Sequence, residues 1–344
     1  MKRHANIPIF IPHLGCPNQC VFCNQRKITG VSRFSLDSVR SEIETALSTI
    51  EDGCDVEIAF FGGSFTGIEP ELMENLLKIA NYYIESGRIS SIRCSTRPDY
   101  ITKNILDILR AYNVRTIELG LQSIDDSVLD ITKRGHTSAD AAVACQMITD
   151  GGFDLVGQMM IGLPGATLDS EIKTARFIAE SGACGARIYP TVVFKETELC
   201  EMASCGAYTP ITERDAIERS AKVFAIFREC GVDVIRIGLC SSDNLSNEES
   251  YYAGPNHPAL GELVLGEYYY LEIKKKLSAE PNRVADVIVS VAVGELSKAI
   301  GHKKINKQRL FEDFPSYRIR FCESKDLNVY DVSVDFEERK DKCI

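Results

Sequence analysis

The sequence has no tryptophan, only five histidines and no apolar run long enough to cross a membrane. Lys2 and Arg3 near the N-terminus precede too few apolar residues for a signal peptide. The chain is acidic, with a formal net charge of −10 at pH 7. An acidic balance argues against a generally basic surface for nucleic acid, so DNA is not an expected partner. We therefore predict a cytoplasmic protein with no membrane association.

Cysteine, by contrast, is abundant, at 13 of 344 residues. Because no export signal is evident, we expect thiols rather than disulfides. Cys16, Cys20 and Cys23 have the spacing C-x₃-C-x₂-C in a loop that follows a predicted strand at 7–11, and the next cysteine is Cys54. Three closely spaced thiolates suit a [4Fe–4S] cluster with one iron left open. A zinc knuckle that borrows a ligand from elsewhere, or three unligated thiols, would share this spacing.

Downstream of this loop, predicted strands alternate with predicted helices, which are recognised by the period of their apolar residues. Strands are predicted at 55–61, 89–95, 115–120, 153–161 and 186–193, and helices at 37–50, 70–85, 102–112, 126–131, 138–150 and 169–181. A helix at 213–230 and a strand at 232–237 continue the pattern less clearly. Such alternation implies right-handed βαβ units and a parallel sheet. Ligands of such sheets lie at the carboxyl ends of the strands.

The last hundred residues have a different pattern. A stretch at 241–258 is rich in Ser, Asn, Gly and Pro and predicts a loop. Beyond it we predict a strand at 284–292, helices at 295–301 and 306–314, and strands at 318–323 and 328–336 that pair with each other. We therefore divide the chain into an α/β domain at 1–240 and a smaller α+β domain at 241–344.

Polar residues follow several of the predicted strands. Gly62, Gly63 and Ser64 end the second strand, and glycines there let the backbone approach a ligand closely, although a tight turn would use the same residues. The segments 95–100, 118–123 and 134–137 place further polar groups at the ends of later strands. We expect these groups to line a site rather than fill the core.

Taken together, the motifs resemble those of the radical S-adenosylmethionine (radical SAM) superfamily. The cysteine loop has the aromatic Phe22 before its last cysteine, as is typical of that superfamily. The order and spacing of the segments above, with those at 159–165 and 187–191, resemble the radical SAM domain of the Elongator catalytic-subunit family. They are similar, more loosely, to oxygen-independent coproporphyrinogen oxidases. The resemblance covers roughly residues 7 to 206 and implies an incomplete parallel (β/α)₆ TIM-like barrel.

The resemblance also implies roles for individual residues. Cys16, Cys20 and Cys23 would ligate the cluster. Contacts to S-adenosylmethionine would come from Gly62 and Gly63 at the methionyl amine, Ser95 and Gln122 near the ribose, Arg134 at the carboxylate, and Ile161 and Gly162 at the adenine.

Three further positions are less well defined by the resemblance. Ser64 stands where many members carry Glu, and Gln158 stands where relatives carry an acidic residue or His, so both are cofactor-binding candidates with an open contact. Lys195 stands where the Elongator relatives have a basic residue near the mouth of the active site. It is the one candidate for a catalytic role, and a solvated loop lysine is the alternative.

The implied activity is reductive cleavage of S-adenosylmethionine followed by abstraction of hydrogen from a substrate, with an electron donor such as flavodoxin or ferredoxin. The Elongator resemblance points to a tRNA base. The other resemblance points to a tetrapyrrole or another small molecule, and a non-catalytic iron–sulfur protein is a third alternative. No stretch after Ser241 offers the length or the glycine-rich acyl-CoA loop of the Elongator acetyltransferase domain, so acetyl transfer is not expected.

A group of cysteines and a run of basic residues could form further sites. Cys200, Cys205 and Cys240 with His257 have no spacing typical of a zinc site or a cluster, so unligated thiols are expected. A basic run that contains Lys303, Lys304, Lys307 and Arg309 predicts one face of a short helix that binds RNA phosphates, with a solvated face as the alternative.

Overall fold

In the computed structural model, which describes residues 4–11, 15–16, 20–24, 34–51, 53–239, 250–279 and 285–338, seven strands form one curled, half-barrel sheet. All neighbouring strands in it are parallel. In sheet order they are β1 (His4–Ile11), β2 (Asp55–Gly62), β3 (Ser91–Thr96), β4 (Val114–Gln122), β5 (Asp154–Ile161), β6 (Gly185–Pro190) and β8 (Asp233–Ile237). Two short strands, β7 (Val193–Phe194) and β9 (Tyr251–Ala253), pair antiparallel.

Helices follow these strands in the chain. They are α1 (Leu36–Leu47), α2 (Pro70–Glu85), α3 (Lys103–Ala111), α4 (Asp126–Ile131), α5 (Ser138–Asp150), α6 (Leu168–Glu180), α7 (Glu198–Ser204) and α8 (Glu213–Glu229). Local sequence explains where several begin. Pro70 opens α2, and a capping box at Thr137 and Asp140 opens α5. None of the helices in the described residues is both long and apolar enough to span a membrane.

The sheet separates an apolar side from a polar one. Ile7, Ile9 and Ile11 of β1 are buried, whereas Asn6 and Pro8, which alternate with them, are exposed, because successive side chains along a strand point to opposite faces. The predicted parallel, partly closed α/β barrel is confirmed. The predicted strand at 232–237 joins this sheet as β8, so the sheet has one strand more than the six strand–helix units.

The chain divides into two compact units, Met1–Ala216 with Ile226–Asn256, and Ile217–Ala225 with His257–Ile344. The functional boundary at 240/241 stays a prediction. The second unit contains α9 (Leu260–Ser278), β10 (Ala285–Ala292), α10 (Leu296–Ile300), α11 (Ile305–Asp313), β11 (Tyr317–Ser324) and β12 (Val332–Glu338). Its core includes Ile273, Leu277, Val287, Val289 and Leu310.

Two predictions for this second unit were wrong in detail. The last two strands do not pair with each other, because β10 lies between β11 and β12. The basic run does not form one helix face either. Lys303 and Lys304 precede α11 in a 3₁₀ turn. Arg309 forms an ion pair with Glu267, and its guanidinium carbon stacks on Tyr270, 3.5 Å from the ring centroid.

Candidate active site

The three cysteines follow β1, and neighbouring loops hold the backbone between the last two. The Val21 N–H donates to the Thr132 carbonyl (3.2 Å), and the Leu199 N–H donates to the Val21 carbonyl (2.8 Å). Val21 is buried in a cluster with Val193, Leu199 and Tyr208. Cys20 is buried, Cys16 and Cys23 are half-buried, and none of the three is in a disulfide. The loop therefore presents its thiols from a backbone that two other segments fix.

Among the described residues, no three His, Cys, Asp or Glu side chains lie close enough together to ligate a single metal ion. In a [4Fe–4S] cluster each thiolate binds a different iron, so the cysteine sulfurs stand farther apart than the ligand atoms of a single metal ion. Cys16 and Cys20 both lie close enough to Arg97 to influence its pKa, so they face the same place, as two ligands of one cluster would. Of the other cysteine cluster, Cys200 and Cys205 are free thiols, and Cys240 lies outside the described residues.

The Gly-Gly turn after β2 packs directly against the start of the cysteine loop. Gly62 has a φ of +115°, and a Cβ there would lie 2.8 Å from the Ile11 carbonyl oxygen. The Gly63 N–H donates to that same carbonyl (3.0 Å). The buried Ser64 places its hydroxyl 3.5 Å from the Cys16 sulfur. Only glycine fits at position 62, and the close packing brings the predicted amine-binding turn beside Cys16.

Two buried arginines lie against the cysteines. Arg134 points one guanidinium nitrogen at the Cys20 sulfur (3.5 Å) and donates with another to the Gly120 carbonyl (2.6 Å). Arg97 donates to the Arg134 carbonyl (2.6 Å) and pairs with Asp99. Burial opposes its charge, but Asp99 and the cysteine thiolates outweigh burial, so the pKa of Arg97 is raised. Cations in this position stabilise thiolates and any anionic group bound beside them.

Several polar atoms at this end of the sheet have no hydrogen-bond partner in the part of the chain that the structure describes. They are Arg97 Nη1, Arg134 Nε and Gln122 Oε1, all buried. Gln122 has a φ of +67° and follows a register shift in β4, which turns its side chain away from the regular strand direction. Buried polar atoms are normally paired. Two guanidinium donors and an amide acceptor fit the carboxylate and ribose of S-adenosylmethionine, as the resemblance implies.

The remaining S-adenosylmethionine candidates lie on β3, β5 and the turn after β5. Ser95 and Gln158 are half-buried, and Gln158 pairs in register with Gly120. The Ile161 carbonyl accepts from Thr191 (2.8 Å from the N–H and 2.7 Å from the hydroxyl), so it is already bound.

The same holds for Gly162. Its N–H donates to Glu171 (2.7 Å), and its carbonyl accepts from Tyr208 (2.6 Å). A contact of this turn with adenine would therefore use its nonpolar surface. All these ligand contacts stay predictions.

Lys195 follows β7 and is exposed. Its backbone N–H donates to the Ser250 carbonyl (2.9 Å). Its charge lies near Cys200, where burial raises the pKa of the thiol and the lysine opposes that rise. A catalytic role for Lys195 stays a prediction.

The sequence analysis missed a buried chain of charges on the sheet. Arg93 of β3 donates to Glu57 of β2 (2.8 Å) and to Glu118 of β4 (2.9 Å). Arg187 of β6 donates to the same Glu118 (2.9 Å) and lies 5.5 Å from the ring centroid of Phe61. Because β6 and β2 are four positions apart in the sheet, this must be its concave side, which we call the lumen. In the sequence, this chain of charges is indicated by one charged residue in the middle of each apolar strand.

His136 follows Arg134 and is buried. Burial and the charges of Arg134 and Arg97 lower its pKa to about 4 from 6.5. The unfolded chain therefore binds a proton that the folded chain does not at pH values between these two. The stability that this group contributes is complete above pH 6.5 and is lost as the pH falls towards 4.

We therefore expect the His136→Gln variant to be less sensitive to acid. Between pH 7 and pH 5 the unaltered protein should lose about 2 kcal/mol of unfolding free energy that the variant keeps. Urea unfolding of both proteins at the two pH values measures this difference. Parallel losses in the two proteins would show that His136 does not have the lowered pKa.

Comparison with known proteins adds independent information. A model of the radical SAM superfamily matches residues 10–178, and a model of the radical SAM C-terminal domain matches residues 184–269. Elongator complex protein 3 of Bos taurus is 27% identical over 256 residues, with 62% of this chain and 47% of that protein covered. The chain thus spans about half the length of these curated relatives. A tRNA uridine(34) acetyltransferase of Methanocaldococcus jannaschii is 32% identical over 158 residues, covering 45% of this chain and 29% of that protein.

One solved structure has a similar fold. Elp3 of Methanocaldococcus infernus, lacking its N-terminus, has a TM-score of 0.64 at 23% identity and covers 80% of this chain and 64% of that one. Coproporphyrinogen III oxidase (HemN) of Escherichia coli is more distant, with a TM-score of 0.49 at 19% identity, covering 67% and 54%. The first family model includes every predicted cofactor contact from Cys16 to Gly162. We conclude that this chain belongs to the radical SAM superfamily, whose members bind a [4Fe–4S] cluster and S-adenosylmethionine.

Proposed function

We propose that this radical SAM enzyme modifies a base of tRNA. The observation that supports the proposal is the match to a protein named tRNA uridine(34) acetyltransferase, at 32% identity over 158 residues. This chain also has a fold similar to that of the Elp3 structure. The name of that relative describes the whole of a longer protein, so the position and nature of the modification are left to experiment.

The residues of the site have separable tasks in this proposal. When bound, the cluster and S-adenosylmethionine supply a 5′-deoxyadenosyl radical that abstracts hydrogen from the substrate. Cys16, Cys20 and Cys23 would hold the cluster. Arg134 would bind the methionyl carboxylate, with Arg97 holding it in place through the Arg134 carbonyl. The curled sheet would keep water from the reacting groups.

The enzyme needs a reductant, as radical SAM enzymes generally do. We propose a small electron-transfer protein such as flavodoxin or ferredoxin, acting in the cytoplasm. The 11 cysteines that the structure describes are all free thiols, which suits a reducing compartment.

The experiment is made in two parts. Reduced, cluster-loaded protein with S-adenosylmethionine should form 5′-deoxyadenosine, slowly even without substrate. Mass spectrometry of tRNA nucleosides from a deletion strain should then show the loss of one modified nucleoside, which returns when the gene is restored. An unchanged nucleoside profile, with 5′-deoxyadenosine still formed, would remove tRNA as the substrate and favour a small molecule.

We expect the Arg134→Ala variant to bind S-adenosylmethionine more weakly. A charge-assisted hydrogen bond contributes about 1.5–3 kcal/mol, which is a loss of about tenfold to a hundredfold in affinity. Equilibrium binding to cluster-loaded protein measures it. Lys133→Ala is the matched control, because the neighbouring Lys133 is exposed and pairs with Glu198. Equal affinity in both variants would show that Arg134 has only a structural role.

A further inference from the structure

The buried chain of charges in the lumen is balanced. Glu57, Arg93, Glu118 and Arg187 form the buried chain described above, in which two negative and two positive charges balance. Arg187 reaches across β5 to Glu118 on β4 and also contacts Phe61 on β2, so this chain crosses the lumen at the level of the middle of the strands. A balanced chain of this kind has no charge left for a ligand.

Arg236 of β8 supplies the additional charge. It pairs in register with Arg187, and partners in a parallel ladder project to the same face of a sheet. Its Nε donates to the Gly238 carbonyl (3.1 Å), and within the described residues no carboxylate pairs with it. A guanidinium has five N–H donors in a fixed fork, so most of those of Arg236 are left for another acceptor.

Tyr189 adds a hydroxyl donor at the same place. It follows Arg187 by two residues on β6, so it lies on the same face, one step nearer the carboxyl end of the strand. Its hydroxyl oxygen accepts a hydrogen bond from Arg187, which leaves the O–H to donate, and it lies near the charge of Arg236. Burial raises the pKa of Tyr189, so the hydroxyl keeps its proton. Tyr189 and Arg236 are both half-buried, which leaves each accessible from the lumen.

We propose that Arg236 and Tyr189 form an oxyanion site in the lumen, beside the buried chain of charges. This site would bind a carboxylate or phosphate of the substrate. The inference rests on the proposed function, because it assigns the substrate class of that same enzyme. Among the described residues Arg236 has a carbonyl as its hydrogen-bond partner, and a carboxylate or phosphate would accept two parallel hydrogen bonds from its remaining donors. The site lies on β6 and β8, whereas the predicted contacts to S-adenosylmethionine come from β2 to β5 and the loops after them.

Two anions of simple chemistry test the site directly. Inorganic phosphate and acetate are titrated separately into cluster-loaded protein at constant ionic strength, with binding followed by calorimetry. We expect saturable binding of at least one of them, which saturating S-adenosylmethionine does not displace. A preference for phosphate would indicate a nucleotide phosphate, and a preference for acetate would indicate a carboxylate on the substrate.

Variants then locate the binding. Arg236→Gln should weaken it by at least about tenfold, Tyr189→Phe by less, and Arg236→Lys should keep part of it. Arg176→Gln is the matched control, since Arg176 is an exposed arginine on α6 of the same barrel. Circular dichroism confirms that each variant is folded. The proposal is overturned if neither anion binds saturably, if Arg236→Gln binds as well as the unaltered protein, or if S-adenosylmethionine competes.

These outcomes are independent of the tRNA proposal. Formation of 5′-deoxyadenosine and the tRNA nucleoside profile test the reaction and the substrate macromolecule, and neither uses the anion titration. A protein that alters tRNA but binds neither anion would keep the proposed function and lose this site.

Discussion

We expect the Cys16/Cys20/Cys23→Ala triple variant to bind no iron, whereas the unaltered protein, purified without oxygen, should hold about four irons and four sulfides per chain. Thiolates are the ligands of such clusters, and no other side chain on this loop replaces them. Iron and sulfide analysis with the visible spectrum of the cluster measures the result. The same variant should form no 5′-deoxyadenosine from S-adenosylmethionine.

A second triple variant controls for the loss of cysteine as such. Cys184, Cys230 and Cys322 are exposed free thiols in other segments of the chain, and their replacement by Ala should leave the iron content unchanged. A full cluster retained in the first variant would contradict the assignment of the three ligands. Zinc found in place of iron would instead support the knuckle that the spacing alone left open.

The second large effect is on stability. We expect Glu118→Gln to lower the unfolding free energy by about 3–5 kcal/mol, the usual result of removing one partner from a buried ion pair. The Glu118 side chain is only 2% exposed, and it is a carboxylate partner of both Arg187 and Arg93, the latter of which also pairs with Glu57. Urea unfolding of the cluster-free protein measures the change.

An ion pair at the protein surface provides the control. Glu44 accepts two hydrogen bonds of 2.8 Å from Arg88, but both side chains are more than 40% exposed. Exposed ion pairs contribute little, because water solvates the separated charges well. Glu44→Gln should therefore lose only a small part of what Glu118→Gln loses. Equal losses would mean that the buried chain of charges contributes no more than a surface contact.

Local signals explain what could be predicted from the sequence. The cysteine spacing, the Gly-Gly turn and the short apolar runs each depend on a few adjacent residues, so the loop, the turn and most strands of the barrel were predictable. The capping residues Thr137 and Thr167 likewise open α5 and α6 in the structure.

Long-range pairing was not predictable in the same way. The partners Glu118 and Arg187 are 69 residues apart, and Arg236 meets Arg187 only through the register of β6 and β8. No bounds were predicted for α9. Tyr268, Tyr269 and Tyr270 are all buried, so this helix lacks the alternation of apolar and polar faces by which the other helices were recognised. The order of β10, β11 and β12 was missed because alternation predicts strands and not their neighbours.

The buried chain of charges also limits how this barrel can change over evolutionary time. Each of its inner members, Arg93 and Glu118, has two partners of opposite charge, so a neutral replacement at one position leaves its neighbours buried without compensation. A route to an apolar lumen therefore passes through intermediates that fold poorly, unless several positions change together. Among descendants of this chain, the four residues should be inherited or replaced as a set, and their joint presence would mark a lineage more reliably than any one of them.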